Sequence, residues 1–264
     1  MQVYNRRVPE GPPDELIELA RFVGSPADSL SILAEGNVAC HRDENSFWVK
    51  ASGRALSGIE RSSFVAVQRR PLLDAINGPP LDEKTTRAVL NSAIAHADSD
   101  EIPSTESYMH ALLLSFESAR FVAHAHPPDL LSLLITAKAE DLAAKRWFPD
   151  EIVCCGRASC FVPYAAPGLP LARAIKSAAA KFEKTVGEPP KCFWLQNHGL
   201  IAVGKTHQEA IAAVKMSAKA AKVLLQAVST GLELHPLSQK QINEIANWTD
   251  EHYRQNLLWR SEKR

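Results

Sequence analysis

The sequence predicts an α/β sandwich in which a mixed or antiparallel sheet is covered by helices. Three observations carry that expectation. Short β-prone runs and helical periodicities alternate along the chain; they do so without a strict strand–helix–strand rhythm; and no GxGxxG, P-loop or GxSxG signature accompanies them.

The elements follow in order. ELIELARFVG (15–24) has apolar residues at helical spacing and stops at Gly24, which predicts a packing helix followed by the turn SPADS. Runs around Val38 and over Phe47–Lys50, separated by RDEN, predict a hairpin leading into a turn at Gly53. SFVAVQ (63–68) predicts a strand, and a helix follows PLLDAI from about Glu83 to His96. PSTESYMHALLLSF predicts a helix with Ser104 as N-cap and with Met109, Leu112, Leu113 and Phe116 on one face. RFVAHAHPP predicts a buried strand ended by prolines, which cannot donate to a ladder. Residues 129–145 and 171–186 predict helices, with VPYAAPG (162–168) as an irregular connection. CFWLQNHGLIAVG predicts two short strands around Asn197-His198-Gly199, and Thr206 with Glu209 predicts a capping box opening a long helix.

At 264 residues and 45% hydrophobic content the chain can bury a large core, and no break forces a second unit. The expectation is a single domain over 1–264, with its core at about 14–230 and a helical tail at about 235–264. Thirty basic and thirty acidic side chains cancel, so no net positive field drives binding to nucleic acid or anionic membrane. No apolar run approaches the roughly 20 residues of a membrane-spanning helix, and MQVYNRRVPEGPPDE lacks the apolar stretch of a secretory signal. A cytoplasmic location is expected. The five cysteines, an odd number in apolar surroundings, are expected as reduced and buried thiols, because CCGRASC (154–160) is not a CxxC pair.

The chemistry concentrates on histidines. On a strand, positions i and i+2 share a face about 7 Å apart, so His124 and His126 can converge on one ion while Ala123 and Ala125 face away. The alternative is two half-buried histidines, each needing its own partner, and the ligand reading is the stronger. Imidazole suits zinc and other late divalent ions, with its second nitrogen free for an orienting acceptor. His198 stands out as a third ligand because it ends an apolar strand and precedes a glycine, although a turn histidine is equally consistent. Glu106, in the first turn of its helix with His110 one turn on, is by periodicity no more than a helix-start carboxylate. A role as general acid or base would need a raised pKa, obtainable by partial burial.

Taken together, EGN (35–37), KASG (50–53), PSTE with His110 (103–110), HAHP (124–127) and NHGLIAVG (197–204) resemble the class II aldolase and adducin-head family in order and spacing, over about 14–230. WVKASGRAL and VPYAAPGLPLARAI are similar in wording to the aldolase domain of bacterial rhamnulose-1-phosphate aldolase/dehydrogenase fusion proteins. The resemblance implies a three-layer α/β/α sandwich around a mainly antiparallel sheet, and a homotetramer with sites near subunit interfaces. It implies Zn²⁺, or Mn²⁺, Fe²⁺ or Co²⁺, held by His124, His126 and His198, with Glu106 as acid/base. Asn37, Ser52, Gly53, Ser104 and Thr105 occupy the places that bind a substrate phosphate. Tyr164 and Tyr253 are candidates for a catalytic tyrosine, with packing as the alternative. Two departures bear on substrate: Ala39 stands where a hydroxyl residue is usual, and Pro127-Pro128 follow the histidine pair. The implied reaction is retro-aldol cleavage of a ketose phosphate or related sugar, the ion stabilising an enediolate. Epimerisation, dehydration or decarboxylation could use the same apparatus. A non-enzymatic interaction module of the adducin-head kind and a metal hydrolase are the readings from other classes.

Overall fold

The computed structural model describes residues 11–95 and 101–248. Seven strands, β1 (Asn37–His41), β2 (Ser46–Lys50), β3 (Phe64–Gln68), β4 (Phe121–Ala125), β5 (Cys160–Val162), β6 (Cys192–Leu195) and β7 (Gly199–Gly204), form one sheet. Their order is β3-β2-β1-β4-β7-β6-β5. Every neighbouring pair is antiparallel except β5 and β6, so the sheet is mixed and mainly antiparallel.

Side-chain alternation divides the core into two slabs. One face of the sheet presents Val49, Val67, Val122, Phe193 and Ile201 to α2 (Arg69–Asn77), α3 (Glu83–Ser92), α4 (Ser107–Leu113) and α8 (Leu169–Val186), which bring Leu72, Leu90, Met109 and Ile175. The other presents Val38, Trp48, Ala123 and Leu200 to α1 (Asp14–Val23), α5 (Pro128–Leu134), α7 (Pro149–Cys155) and α9 (His207–Ser229), which bring Leu19, Leu130, Cys155 and Val214. The result is the three-layer α/β/α sandwich, each large apolar side chain contributing about 1.5–3 kcal/mol on burial.

The β1–β2 hairpin forms where RDEN predicts it. The Asp43 carboxylate accepts from the backbone of Asn45 and Ser46 at 2.8 Å and from Ser46 Oγ at 2.6 Å, closing the turn and setting Cys40 opposite Trp48.

Elsewhere the structure corrects the sequence reading. The helix expected over 129–145 is two, α5 and a short α6 (Ala139–Ala143). Thr136 breaks it by donating its hydroxyl to Leu133 O and accepting from Lys138 N. Ser104 is not the cap of α4: the chain makes a turn first, Glu106 occupies the N-cap position, and Ser104 Oγ accepts from Glu106 N at 3.3 Å. α3 ends at Ser92, and His96 lies outside the described residues. Only half of the capping box forms, since Thr206 accepts from Glu209 N while Glu209 accepts from Lys205 N.

The cysteine segment is likewise local architecture. α7 ends in a bend hung on the fully buried Arg146, which donates to Gly156 O, Cys155 O and Ser159 Oγ and faces Glu151 at 3.5 Å. None of the five cysteines is in a disulfide, and all but the half-buried Cys154 are buried. Of the expected tail, α10 (Gln239–Ala246) is present and Trp248 is exposed, while Tyr253 and Trp259 lie outside the described residues. Among the described residues no helix is long and apolar enough to cross a membrane.

Candidate metal centre

Antiparallel pairing brings the site together at one end of the sheet. β1 starts with Asn37, whose register partner is His124 near the end of β4, and Ala125 of β4 lies opposite Leu200 at the start of β7. His126 follows β4 directly and His198 precedes β7, so three separated histidines meet at one edge. α4 starts over the same edge and delivers Glu106.

Two backbone features allow the approach. Asn197 takes φ +54° in the β6–β7 turn, a conformation asparagine tolerates. Gly199 has no alternative: a Cβ there would stand 2.6 Å from Ala125 O and 2.7 Å from the His126 ring.

The ligand atoms of His124, His126 and His198 lie within 4.8 Å of one another. His124 Nδ1 is 2.9 Å from Leu200 O, which can only accept, and His126 Nδ1 is 3.0 Å from Glu35 Oε2. Both rings therefore carry hydrogen on Nδ1 and turn bare Nε2 lone pairs towards each other at 2.9 Å. Two lone pairs so placed repel unless a cation sits with them. Burial pushes His124 down to about 3 despite the opposing charge of Glu106, which keeps its own ring neutral. Imidazoles with anchored outer nitrogens are the donor set of a late divalent ion, and the residues fit one.

Glu106 faces the same point. Its Oε2 accepts from Asn37 Nδ2 at 2.5 Å and lies 3.6 Å from His124 Nε2; its Oε1, without a well-aligned hydrogen bond, lies 3.3 Å from His198 Nε2. Burial pushes the carboxyl upward, but the facing histidines and the Asn37 amide outweigh it and hold Glu106 well below the usual carboxylate range. The raised value expected for an acid or base role is thus not what the site gives: the neighbours set the opposite direction.

His110, fully buried on α4, bonds through Nε2 to Asn37 Oδ1. Burial lowers it from 6.5 to about 4, with Glu106 pulling the other way. Between those values the unfolded chain binds a proton that the folded chain refuses. Its contribution is present above about pH 6.5 and lost as pH falls, by up to about 1.4 kcal/mol per unit. Urea unfolding at a series of acid pH values should show a shallower loss for His110→Leu than for wild type; equal slopes would contradict it.

The five residues assigned to phosphate by resemblance do not behave alike. Asn37 is buried, with its amide committed to Glu106 and His110. Ser52 is exposed, but its N–H donates to Ile102 O; Gly53 takes φ +73° with open space around it. Ser104 is half-buried, and Thr105 is exposed at the rim of a cavity of about 600 Å³ between α3, α4 and α8. Tyr164 is 64% exposed, so it does not pack into this chain's core, and its N–H donates to Gln196, two residues before His198.

Besides His110, two residues within the quoted motifs, Glu35 and Lys50, had no role read for them. Glu35 anchors His126. Lys50, 2% exposed, donates to Ala34 O and Arg54 O at 2.7 and 2.6 Å, tying the Glu35 segment to the Ser52–Gly53 turn; burial lowers it to about 8, against the pull of Glu106. A lysine ending the otherwise buried run SFWVK was the available signal, since it must find acceptors. Replacing Glu35 by Ala should weaken divalent-ion affinity by about 10- to 100-fold. Competition against a chromogenic chelator checks this, and unchanged affinity would deny Glu35 an orienting role.

The class II aldolase and adducin N-terminal domain model matches residues 14–225. No curated protein matches the chain. Solved structures share its fold. The N-terminal class II aldolase domain of a conserved protein from Thermoplasma acidophilum is 22% identical, with 85% of this chain and 96% of that one covered and a TM-score of 0.64. An L-fuculose 1-phosphate aldolase is 20% identical over 88% and 93%, with a TM-score of 0.63. YgbL from Escherichia coli, whose description spans aldolase, epimerase and decarboxylase, is 18% identical over 89% and 97%, also at 0.63. With that match across most of its length and a sandwich of the same architecture, the chain belongs to the class II aldolase and adducin N-terminal domain family.

Proposed function

We propose that this protein is a divalent-metal-dependent lyase that cleaves a ketose phosphate or related sugar by retro-aldol chemistry. One observation carries the reading: three imidazoles, two of them anchored through Nδ1, converge with a carboxylate that lies 3.3 and 3.6 Å from two of their nitrogens. In it His124, His126 and His198 hold the ion, zinc or else manganese, iron or cobalt, and Glu106 moves the proton. A bound ion supplies Lewis-acid stabilisation of negative charge developing on a substrate oxygen.

The protein's own groups do the rest. Glu106 is held ionised, so in the condensation direction it can take a proton from the carbon beside the carbonyl. In cleavage it would return that proton to the same carbon once the C–C bond has broken, and the Asn37 amide fixes the oxygen that carries it. Ser52, Gly53, Ser104 and Thr105 offer hydroxyls and an open turn to a substrate phosphate. The exposed Ile32, Leu33, Ile135 and Tyr164 sit on segments bonded to or adjoining those that carry the site, which supports a homo-oligomer, a tetramer by family resemblance, packed around the site mouth. Likeness to the rhamnulose-phosphate fusion proteins rests on the wording of two segments, and similarity to YgbL keeps epimerase and decarboxylase chemistry as alternatives on the same site.

The test is exchange. Protein loaded with each ion in turn should exchange a carbon-bound hydrogen beside the carbonyl of dihydroxyacetone phosphate with solvent deuterium, and should cleave members of a ketose 1-phosphate panel. Ester or amide hydrolysis without exchange would transfer the site to the hydrolases; neither exchange nor turnover would favour an adducin-like scaffold.

A further inference from the structure

His110 has no place among the cation-facing nitrogens, yet it is the most costly residue on its helix. All seven residues of α4 are buried, and Met109, Ala111 and Leu113 around it are apolar. Its ring is fully buried, and among the described residues Nδ1 has no hydrogen-bond partner. A leucine there would avoid that desolvation cost. The one bond the ring makes, Nε2 to Asn37 Oδ1, leads to Glu106 through the other end of the same amide.

We propose that His110 is a positioning residue that fixes the Glu106 carboxylate through Asn37. The inference rests on the reading of Glu106 as the proton-transfer group. An asparagine amide can turn over, exchanging its donor and acceptor ends. Turned over, it would face the carboxylate with Oδ1 and repel it. A neutral histidine has one N–H, and since Nδ1 faces no acceptor among the described residues the hydrogen belongs on Nε2. That N–H selects Oδ1 and leaves Nδ2 for Glu106. The geometry follows from sequence: Glu106 and His110 are four residues apart, one helical turn, and Asn37 at the start of β1 is held beside them by its pairing with His124. A carboxylate held by one oriented donor keeps one oxygen trajectory, which proton transfer at carbon needs.

The probe is metal-dependent deuterium exchange into dihydroxyacetone phosphate, measured on the ion-loaded full chain for His110→Leu, His110→Gln, Asn37→Leu and the double variant H110L/N37L. H110L should lower kcat by about 10- to 100-fold with KM and metal content unchanged. H110Q, which keeps an N–H at the same reach, should recover most of it. The double variant should be no slower than N37L, because the two act through one bond. Losses that multiply, or an H110L rate equal to wild type, overturn the relay. Glu106→Gln separates the failures: full turnover without the carboxylate sinks the proton-transfer reading itself, whereas dependence on Glu106 with none on His110 sinks only the relay. If H110L does not fold, long-range ¹H–¹⁵N spectra of the wild type decide. His110 should appear as the neutral Nε2–H tautomer and His124 as Nδ1–H; an Nδ1–H signal from His110 overturns the proposal.

Discussion

Replacing His126 by Ala should strip the protein of its metal. Wild-type protein, purified without a histidine tag, is expected to carry about one zinc, manganese, iron or cobalt ion per chain, and the variant close to none. The size of the effect follows from ligand count: three imidazoles make a closed face for an ion, and two leave it to exchange with solvent. His126 is the better probe than His124. It lies just beyond β4 with 16% of its side chain exposed, whereas His124 is fully buried opposite Ile201, where truncation would also open a cavity. Metal loss in His126→Ala can therefore be separated from unfolding. Added ion should raise the Tm of wild type, because binding to the folded state alone stabilises it in proportion to the logarithm of ligand over Kd, and should leave the variant unmoved. Plasma mass spectrometry and thermal melts check both halves. Wild-type protein that stays empty after incubation with each ion would end the metal mechanism and favour a scaffold.

How far that site was legible depends on which physical signal each residue left in the chain. Period-two alternation in FVAHA and the glycine after His198 are local signals, and they point to histidines at strand ends. The elements were legible for the same reason: the sheet's strands are short, apolar and bounded by turn residues. Glu106 left only an ambiguous trace, since a carboxylate at a helix start is common whatever it does, and its partners come from β1 and the β6–β7 turn, far off in sequence. The direction of its pKa could not be read locally, because burial and neighbours oppose each other and only the fold says which wins. Glu35, Lys50 and His110 were hidden for a related reason: each acts through hydrogen bonds to partners that only the folded chain brings near. The break at Thr136 and the buried Arg146 show the converse, where a single side chain reshapes a segment that periodicity reads as continuous or as a cysteine cluster.

Glu106→Gln is the sharpest test of what the site does once metal is in it. Glutamine keeps the length of the side chain and an oxygen for the Asn37 amide, but it cannot take a proton. If Glu106 moves the proton, kcat should fall by about 10²- to 10⁴-fold, on the order of 3–5 kcal/mol in the barrier, while metal content stays near wild type. The three ring nitrogens and their anchors, Leu200 O and Glu35, are untouched by the change, so the ion keeps its ligands. Steady-state kinetics then separate the possible roles. A fall in kcat and kcat/KM together marks an interaction made in the transition state; a rise in KM at constant kcat would make Glu106 a binding group only. Loss of the ion along with the rate would instead enrol the carboxylate as a fourth ligand. Its 3.3 and 3.6 Å distances to His198 and His124 leave it close enough to face a bound ion, so the metal measurement on this variant decides between a base and a ligand.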